Sequence, residues 1–343
     1  MIGGGSTRVV ARDLALMVVA FATGLLLLAA FMTLSGFHVA AALGALWDGA
    51  FGSSYNFTSA ALVRATPLII LGLAFTLGSK GGTLNIGMEG QFAAGAAAAT
   101  WAGVELGAQS AWVALPIALA AGLAGGAAWV AIPVFLRARV GVSEIISTLL
   151  LNFVAVAGVG YLITGPLQEG SRTYPQSAQI GAAARLPLLA PGSRLHWGIV
   201  IAMALTTLLS LLLSRTALGF RIRASGASPV AAWISGRVNV PAISSGALLG
   251  SGALAGLGGA VEVAGVSYAL YQNLSPGYGF TAIAVALLGR LQPGLVLIAG
   301  ILFGALEAGA AAMQRDAGVP AVAVQVVEAV IIITVLLSAR RRK

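Results

Sequence analysis

The sequence RTALGFRIRASGASPVAAWISGR at 215–237 is polar and basic, and it lies between two long apolar stretches. Before it comes HWGIVIAMALTTLLSLLLS at 196–214, and after it comes AISSGALLGSGALAGLGGAVEVAGV at 242–266. Each apolar stretch reaches the length that a membrane-spanning α-helix needs, about 20 residues. The pattern therefore predicts two membrane-spanning helices joined by a polar loop, which we place at 215–241.

The loop carries the signature of a short amphipathic helix outside the membrane. Ser228 is a good N-cap residue, and Pro229 suits the first helical turn, where its missing N–H costs nothing. Val230, Trp233 and Ile234 follow at the spacing i, i+3 and i+4, which gathers them on one face. Because a membrane protein seldom exposes such a face to water without a partner, we expect another protein to bind this helix.

Composition excludes a water-soluble domain. Of the 343 residues, 59% are hydrophobic and only 8% are charged, and the mean hydropathy is +0.96. Soluble domains carry about a quarter charged residues, so this chain has too few to cover a hydrated surface. We therefore predict an all-α polytopic membrane protein, in which the 46 glycines let helices approach closely.

The inventory of reactive residues argues against an enzyme and against a nucleic-acid-binding protein. The net charge of +9 comes from basic residues scattered over loops rather than gathered on one face. The chain has no cysteine, and its two histidines lack metal-ligand spacing, so we expect no metal and no cofactor. It also lacks the Gly-rich P-loop motif, so ATP hydrolysis would need a separate subunit.

The apolar stretches together predict ten spans within a single transmembrane domain, 1–343. The spans are predicted at 14–34, 60–78, 84–106, 111–136, 145–163, 196–214, 242–266, 279–290, 294–313 and 319–338. The stretch 279–290 is too short to cross alone, so it is either a broken helix or part of a tilted one. Placing both termini in the cytoplasm puts 14 of the 19 basic residues on the inner side, as the positive-inside rule favours. The segment 164–195 then forms an external loop. Glycine-interrupted segments around 81–90 and 277–294 predict broken helices, which often mark a transport site.

Polar residues near these segments are candidates for a solute path, but the pattern leaves their roles open. Asn85, Glu89 and Gln91 belong either to a helix N-terminus opening inside the bilayer or to a plain capped turn. Glu262 lies inside an apolar span, where burying a charge is expensive. Tyr271 belongs to an aromatic cluster that fits either an interfacial belt or a gate.

Four sequence blocks stand out: GGTLNIGMEGQ at 81–91, VSEIISTLLLNF at 142–153, GFRIRASGASPVAAWISG at 219–236 and GFTAIAVALLGRLQPG at 279–294. These blocks resemble the permease subunits of ABC importers in the branched-chain amino acid, ribose and simple-sugar permease superfamily. The first block is similar to the Asn-Ile-Gly-x-Glu-Gly-Gln signature of the nucleoside and simple-sugar branch. The resemblance covers most of the chain from about residue 60 onward.

The resemblance implies a function and a set of partners. It implies an inner-membrane permease that imports nucleosides, or alternatively simple sugars such as ribose, by alternating access. A secondary transporter driven by ions is the rival from another class. The helix at 228–235 resembles the coupling helix that docks on a cytoplasmic ABC ATPase. Two permease subunits, identical or homologous, would form one pathway within the membrane lipid, and an external solute-binding protein would deliver the solute.

Two groups of residues follow as candidate functional positions. The resemblance and the survey of polar residues together predict a solute path formed by Asn85, Glu89, Gln91, Asn152, Glu262, Tyr271 and Phe280. Docking of the ATPase is assigned to Arg223, Ser228, Pro229, Val230, Ala231, Ala232, Trp233, Ile234 and Gly236. Because this segment has no acidic residue, we expect docking to depend on apolar side chains and on the flanking arginines.

Overall fold

Residues 4–320 and Gln325, which the computed structural model describes, form a bundle of α-helices. The twelve α-helices in this part of the chain are α1 (Gly4–Leu34), α2 (Val39–Phe51), α3 (Leu62–Lys80), α4 (Met88–Glu105), α5 (Ala111–Val140), α6 (Glu144–Thr164), α7 (Gly198–Arg215), α8 (Ala217–Ala227), α9 (Pro229–Ile234), α10 (Val240–Glu262), α11 (Tyr278–Leu288) and α12 (Pro293–Ala317). Turns of π-helix at Asn56–Ala61 and Val263–Ser267 extend α3 and α10.

Six helical segments in the described part of the chain are long and apolar enough to cross a membrane. They are Asn56–Lys80, Ala111–Val140, Glu144–Thr164, Gly198–Arg215, Val240–Ser267 and Pro293–Ala317. Each of them corresponds to one of the ten predicted spans. The predicted span 319–338 lies almost entirely outside the described residues. The total of ten therefore stays a prediction.

Several elements differ from the sequence-based expectation. The helix predicted at 84–106 begins at Met88, because the segment 81–87 before it is not helical. The segment at 279–290, by contrast, is as short as expected: its helix, α11, has 11 residues, too few to cross a bilayer alone. The sequence reasoning missed α2, whose 13 residues are also too few for a span, and α8, which lies within the polar loop.

Glycine faces bring α4, α5 and α10 into close contact at the centre of the bundle. A side chain on Gly256 of α10 would collide with the backbone of Gly122 and Gly126 on α5. A side chain on Gly95 of α4 would in turn collide with Gly256. Small residues at such positions allow backbones to approach closely where apolar burial alone gives no preference between lipid and protein. The packing fixes α4 against α5 and α10.

The helix α3 runs from one end of the bundle to the other, and polar residues lie at both of its ends. All of its residues from Ala65 to Gly78 are buried, and α7, α10, α11 and α12 surround it. Arg64 lies at one end and Lys80 at the other, about 24 Å apart along an ideal helix. Both ends carry features that bear on function.

Candidate functional site

The segment 81–87 interrupts the helical chain between α3 and α4, and buried amide side chains hold it. Asn85 Nδ2 donates to Gln91 Oε1 at 2.7 Å, and Gln91 Nε2 donates to Asn85 Oδ1 at 2.8 Å. Asn85 Nδ2 also donates to Ser251 Oγ at 2.9 Å, and Asn85 Oδ1 accepts from the Gly87 N–H at 3.1 Å. We call the pair of Asn85 and Gln91 the amide clasp. Its side-chain amides are satisfied within the protein.

Asn152 of α6 braces the same segment from the other side. Its Oδ1 accepts a hydrogen bond from the Gly90 N–H at 2.8 Å, and its Nδ2 donates to the Ile86 carbonyl at 2.9 Å. Backbone groups away from water need such partners wherever no helix supplies them. The start of α4 is thus enclosed by protein rather than formed as an exposed turn. The roles of Asn85, Gln91 and Asn152 in a solute path stay predictions.

Glu89 joins the start of α4 to the start of α11. Its Oε2 accepts a hydrogen bond from the Gly279 N–H at 2.7 Å, and its carboxylate is also hydrogen-bonded to the Ser275 side chain. Ser275 Oγ in turn accepts from the Tyr278 N–H at 2.9 Å. The carboxylate therefore complements the positive ends of two helices. It also borders a cavity of about 90 Å³, which Phe92 lines as well.

A larger cavity of about 430 Å³ lies at the end of α3 that is remote from α9. Arg64 of α3, Glu262 at the end of α10 and Glu307 of α12 line it, together with polar and aromatic side chains that include Tyr271 and Tyr278. We call it the polar cavity. Because ionisable residues within apolar helices are costly, they mark functional positions in membrane proteins. The polar cavity is the strongest such concentration among the described residues.

Tyr271 borders both the small cavity beside Glu89 and the polar cavity. The connection 165–197 braces its segment, since a β-bridge joins Gln176 to Tyr271. Partial burial raises the pKa of the Tyr271 hydroxyl, and the carboxylate of Glu262 raises it further. The hydroxyl therefore remains a hydrogen-bond donor at neutral pH. Its position between the two cavities is one that a gate residue would occupy.

The helix α9 has both the predicted cap and the predicted apolar face. Ser228 Oγ accepts a hydrogen bond of 3.4 Å from a backbone N–H of the first turn. Val230, Trp233 and Ile234 are 67%, 69% and 75% exposed. Ala232 is only 7% exposed and faces the rest of the protein. The apolar face of α9 has no covering among residues 4–320, and its docking on an ATPase stays a prediction.

The helix α8 links α9 to the interrupted segment 81–87. Near its end, Gly226 lies against the backbone of the α3 terminus: a Cβ there would meet the Gly82 nitrogen at 3.0 Å and would collide with the Lys80 carbonyl. Ser244 of α10 donates from Oγ to the Gly81 carbonyl at 2.8 Å, on the same segment. A displacement of α8 must therefore move this segment or break the contact.

The structure brings some predicted path residues together and leaves others apart. Glu89 and Tyr271 line one cavity, and Glu262 and Tyr271 line the other. Phe280 is 46% exposed on α11 and lines neither of them. Sequence reasoning did not identify Arg64 as a candidate functional residue. Its position within an apolar run was the available signal.

Enclosed helix breaks, a polar cavity between apolar helices and an exposed amphipathic helix together define a polytopic membrane protein built for transport. Over residues 57–336 the sequence matches the family described as branched-chain amino acid transport system, permease component. The chain belongs to this permease family. It is therefore a multi-pass transport subunit of the cell membrane and not an enzyme, and its family implies an ATPase and a solute-binding protein as partners.

Curated relatives place the chain among ABC transporter permeases. It is 38% identical to a glucose ABC transporter permease protein of Haloferax volcanii over 307 residues, which cover 87% of this chain and 80% of the relative. It is 36% identical to a guanosine ABC transporter permease protein of Bacillus subtilis over 321 residues, 92% of this chain and 91% of the relative. A nucleoside ABC transporter permease protein of Lactococcus lactis is 32% identical over 330 residues, 94% of this chain and 90% of the relative.

Proposed function

We propose that this chain carries nucleosides inward across the membrane as one permease subunit of an ATP-driven importer. Two relatives named as guanosine and nucleoside permeases share 36% and 32% identity with it, over 92% and 94% of its length. The subunit itself makes and breaks no covalent bond. It provides a path that opens to one side of the membrane and then to the other, as the driving ATPase shifts the populations of the two states.

The polar cavity is the observation that carries this proposal. A nucleoside presents a flat base, which stacks well on aromatic rings, and ribose hydroxyls, which need hydrogen-bond partners. Tyr271 and Tyr278 supply aromatic rings, while Glu262 and Gln314 supply hydrogen-bonding groups. A volume of about 430 Å³ suits a ligand of this size, since small-molecule sites measure roughly 300–1,000 Å³.

The proposed path runs from the polar cavity past Tyr271 to the small cavity beside Glu89. The amides near the helix break join the path when the segment 81–87 moves; they are Asn85, Gln91 and Asn152. In the conformation described above, the same amides hold that segment in place. Phe280 faces outward on α11, so it would contribute where a second permease subunit, identical or homologous, packs against this one.

The amphipathic helix α9 docks on a cytoplasmic ABC ATPase in this proposal. Val230, Trp233 and Ile234 form the apolar contact. The other residues assigned to docking cap α9 or adjoin it; they are Arg223, Ser228, Pro229, Ala231, Ala232 and Gly236. The contact between Gly226 and the Lys80 carbonyl supports the proposal, because it joins the docking region to the segment that holds the path.

The proposed topology places α9 and both termini in the cytoplasm. Ten spans within one domain, 1–343, give an even number of crossings, and the surplus of basic residues on the α9 side agrees with the positive-inside rule. The segment 164–195 and the polar cavity then face outward, toward an external solute-binding protein. The solute would enter the polar cavity first and leave near α9.

Transport by the complete transporter tests this function. In proteoliposomes with enclosed ATP, labelled guanosine supplied with the solute-binding protein should accumulate, and it should not accumulate without ATP. Glu262→Gln should lower uptake roughly tenfold or more, as expected for weakening a hydrogen bond to a charged group. Glu105→Gln, at the exposed far end of α4, is the matched control. Unchanged uptake by Glu262→Gln would remove the polar cavity from the path.

Simple sugars are the second candidate, because the relative with 38% identity is named as a glucose permease. A sugar needs the same hydroxyl-binding groups as ribose, so the polar cavity alone does not separate the two. Competition decides between them. Displacement of labelled guanosine by unlabelled guanosine, but not by glucose or ribose, supports the nucleoside. Uptake of labelled glucose or ribose without uptake of guanosine would replace the nucleoside with a sugar.

A further inference from the structure

A separate cavity of about 530 Å³ lies at the end of the bundle that carries α8 and α9. It is formed between α7, α8, the end of α3 and the start of α12. Lys80 of α3 and Arg223 of α8 line it, and Ser210, Ser214 and Gln292 add polar groups. None of these residues lines the polar cavity or the small cavity beside Glu89. It is therefore distinct from both of those cavities.

Among the described residues, the charge in this cavity is unbalanced. Both ionisable residues that line it are cations, and neither Lys80 nor Arg223 forms an ion pair with a residue in 4–320. Both side chains are partly buried, and they lie close enough for their charges to repel each other. Two like charges that share a partly buried site are unfavourable unless a counter-charge joins them. The chemistry of the site therefore calls for an anion.

The other half of the cavity is apolar. Leu213, Leu291, Leu295 and Ile298 line it beside the two cations, and Ile298 is 40% exposed on the outer side of α12. A free inorganic anion has no apolar groups that could contact these side chains. A phospholipid has both a phosphate for the cations and acyl chains for the leucines. Basic pockets between helices at the cytoplasmic side of a membrane are a known form of headgroup site.

We propose that this cavity binds an anionic phospholipid, with the lipid phosphate between Lys80 and Arg223 and the acyl chains along Leu295 and Ile298. The inference rests on the proposed orientation, which places this end of the bundle at the inner leaflet. A bound headgroup would connect α3, α8 and α12 close to the Gly226 contact. It would thereby hold α8 in the position from which α9 docks.

Lipid retention by the purified chain tests the site without requiring transport. The chain in mild detergent is titrated with phosphatidylglycerol or with phosphatidylcholine, and bound lipid is counted by native mass spectrometry. We expect selective retention of phosphatidylglycerol. The double variant Lys80→Gln/Arg223→Gln should bind it roughly twentyfold more weakly, since each basic residue contributes about fivefold at an anionic membrane surface. Equal retention of both lipids by the unchanged chain would overturn the proposal.

Two further variants separate the site from general charge and from folding. Arg221→Gln removes one charge from the exposed side of the same helix and should leave phosphatidylglycerol binding unchanged. Lys80→Arg/Arg223→Lys keeps both charges and should retain the lipid. A loss in Arg221→Gln as large as in the double glutamine variant would refute the site. If the double glutamine variant does not fold, full lipid binding by either single glutamine variant refutes it instead.

Competition with inorganic phosphate distinguishes a site for a lipid headgroup from a site for a free phosphate ion, since both ligands carry the same anionic group. Millimolar phosphate should not displace phosphatidylglycerol, because it lacks the acyl chains that contact the apolar wall. Displacement by phosphate would show an ion site and would contradict a lipid site. Failure of guanosine or sugar uptake by the complete transporter would contradict the proposed function, but it would leave the lipid measurement unchanged. The two proposals can therefore fail separately.

Discussion

The carboxylate of Glu89 accepts a hydrogen bond of 2.7 Å from the backbone N–H of Gly279, and so the first turns of α4 and α11 share one anion. Both helices begin at breaks in the chain, and α11 has no side-chain cap of its own at Gly277. A carboxylate at a helix N-terminus satisfies a free N–H and complements the helix dipole. Glu89 is thus a bridge between two broken segments as well as a predicted path residue.

Glu89→Ala should lower the stability of the protein by about 1 kcal/mol, the usual cost of losing a helix cap. Glu89→Gln keeps an oxygen that can accept from Gly279, so it should lower stability less while changing solute affinity or turnover. Thermal unfolding in detergent measures the first effect, and transport measures the second.

Glu105→Ala is the control for this pair, because Glu105 is exposed at the other end of α4. It should leave both stability and transport unchanged. Wild-type stability and transport in Glu89→Ala would show that the bridge has no role. A normal transport profile in Glu89→Gln would assign Glu89 to structure alone.

Asn85→Leu should destabilise the protein by about 2–4 kcal/mol. The change leaves the Gln91 amide and the Gly87 N–H without partners in a buried place, and each unsatisfied group costs about 1–3 kcal/mol. Ser251→Ala removes only the hydrogen bond from Asn85 Nδ2 to Ser251 Oγ and should cost about 1 kcal/mol. Unfolding midpoints of the two variants measure the difference. Equal midpoints would show that the amide clasp is not the unit that holds the segment 81–87.

Gly226→Ala and Gly246→Ala should change stability in opposite directions. Alanine ordinarily stabilises a helix relative to glycine by roughly 0.5–1 kcal/mol. Gly246 faces open space, so Gly246→Ala should follow that rule. At Gly226 the new Cβ collides with the Lys80 carbonyl, so Gly226→Ala should destabilise the protein or uncouple ATP hydrolysis from transport. Stabilisation in both variants with normal transport would mean that α8 is not held against the break.

Trp233→Arg should abolish association with the ATPase while leaving the protein folded and inserted. The Trp233 side chain is exposed, so the change disturbs no core, but it places a charge in the apolar docking contact. Affinity purification from mild detergent, with the copurifying ATPase quantified, measures the effect; Ala231→Glu should behave in the same way. Trp112→Arg makes the same change at the exposed start of α5 and should keep the ATPase. Full recovery of the ATPase with Trp233→Arg would rule out this face.

The features that the sequence predicted well are those that local rules determine. Hydropathy located the six helical segments of the described residues that are long and apolar enough to cross a membrane, because a spanning helix needs a long apolar run. The cap at Ser228 and the face formed by Val230 and Trp233 were also predictable, since capping and helical periodicity involve residues only a few positions apart.

The features that the sequence did not determine depend on residues far apart in the chain. Asn85 bonds to Ser251, which is 166 positions away, and Glu89 bonds to Gly279, which is 190 positions away. No local sequence pattern indicates such contacts. From the sequence, Asn85, Gln91 and Asn152 could therefore be identified only as candidates for a solute path, and not as residues that hold the segment 81–87 through hydrogen bonds. Arg64 and Glu262 meet at one cavity for the same reason, through the packing of α3 beside α10.

ATP-dependent guanosine uptake by the complete transporter, compared between the unchanged chain and Trp233→Arg, tests the central claim most directly. The claim is that a separate ATPase acting on α9 drives solute through this subunit. We predict uptake that requires enclosed ATP with the unchanged chain and no uptake with Trp233→Arg. Uptake by this chain alone, driven by an ion gradient and indifferent to Trp233→Arg, would contradict it.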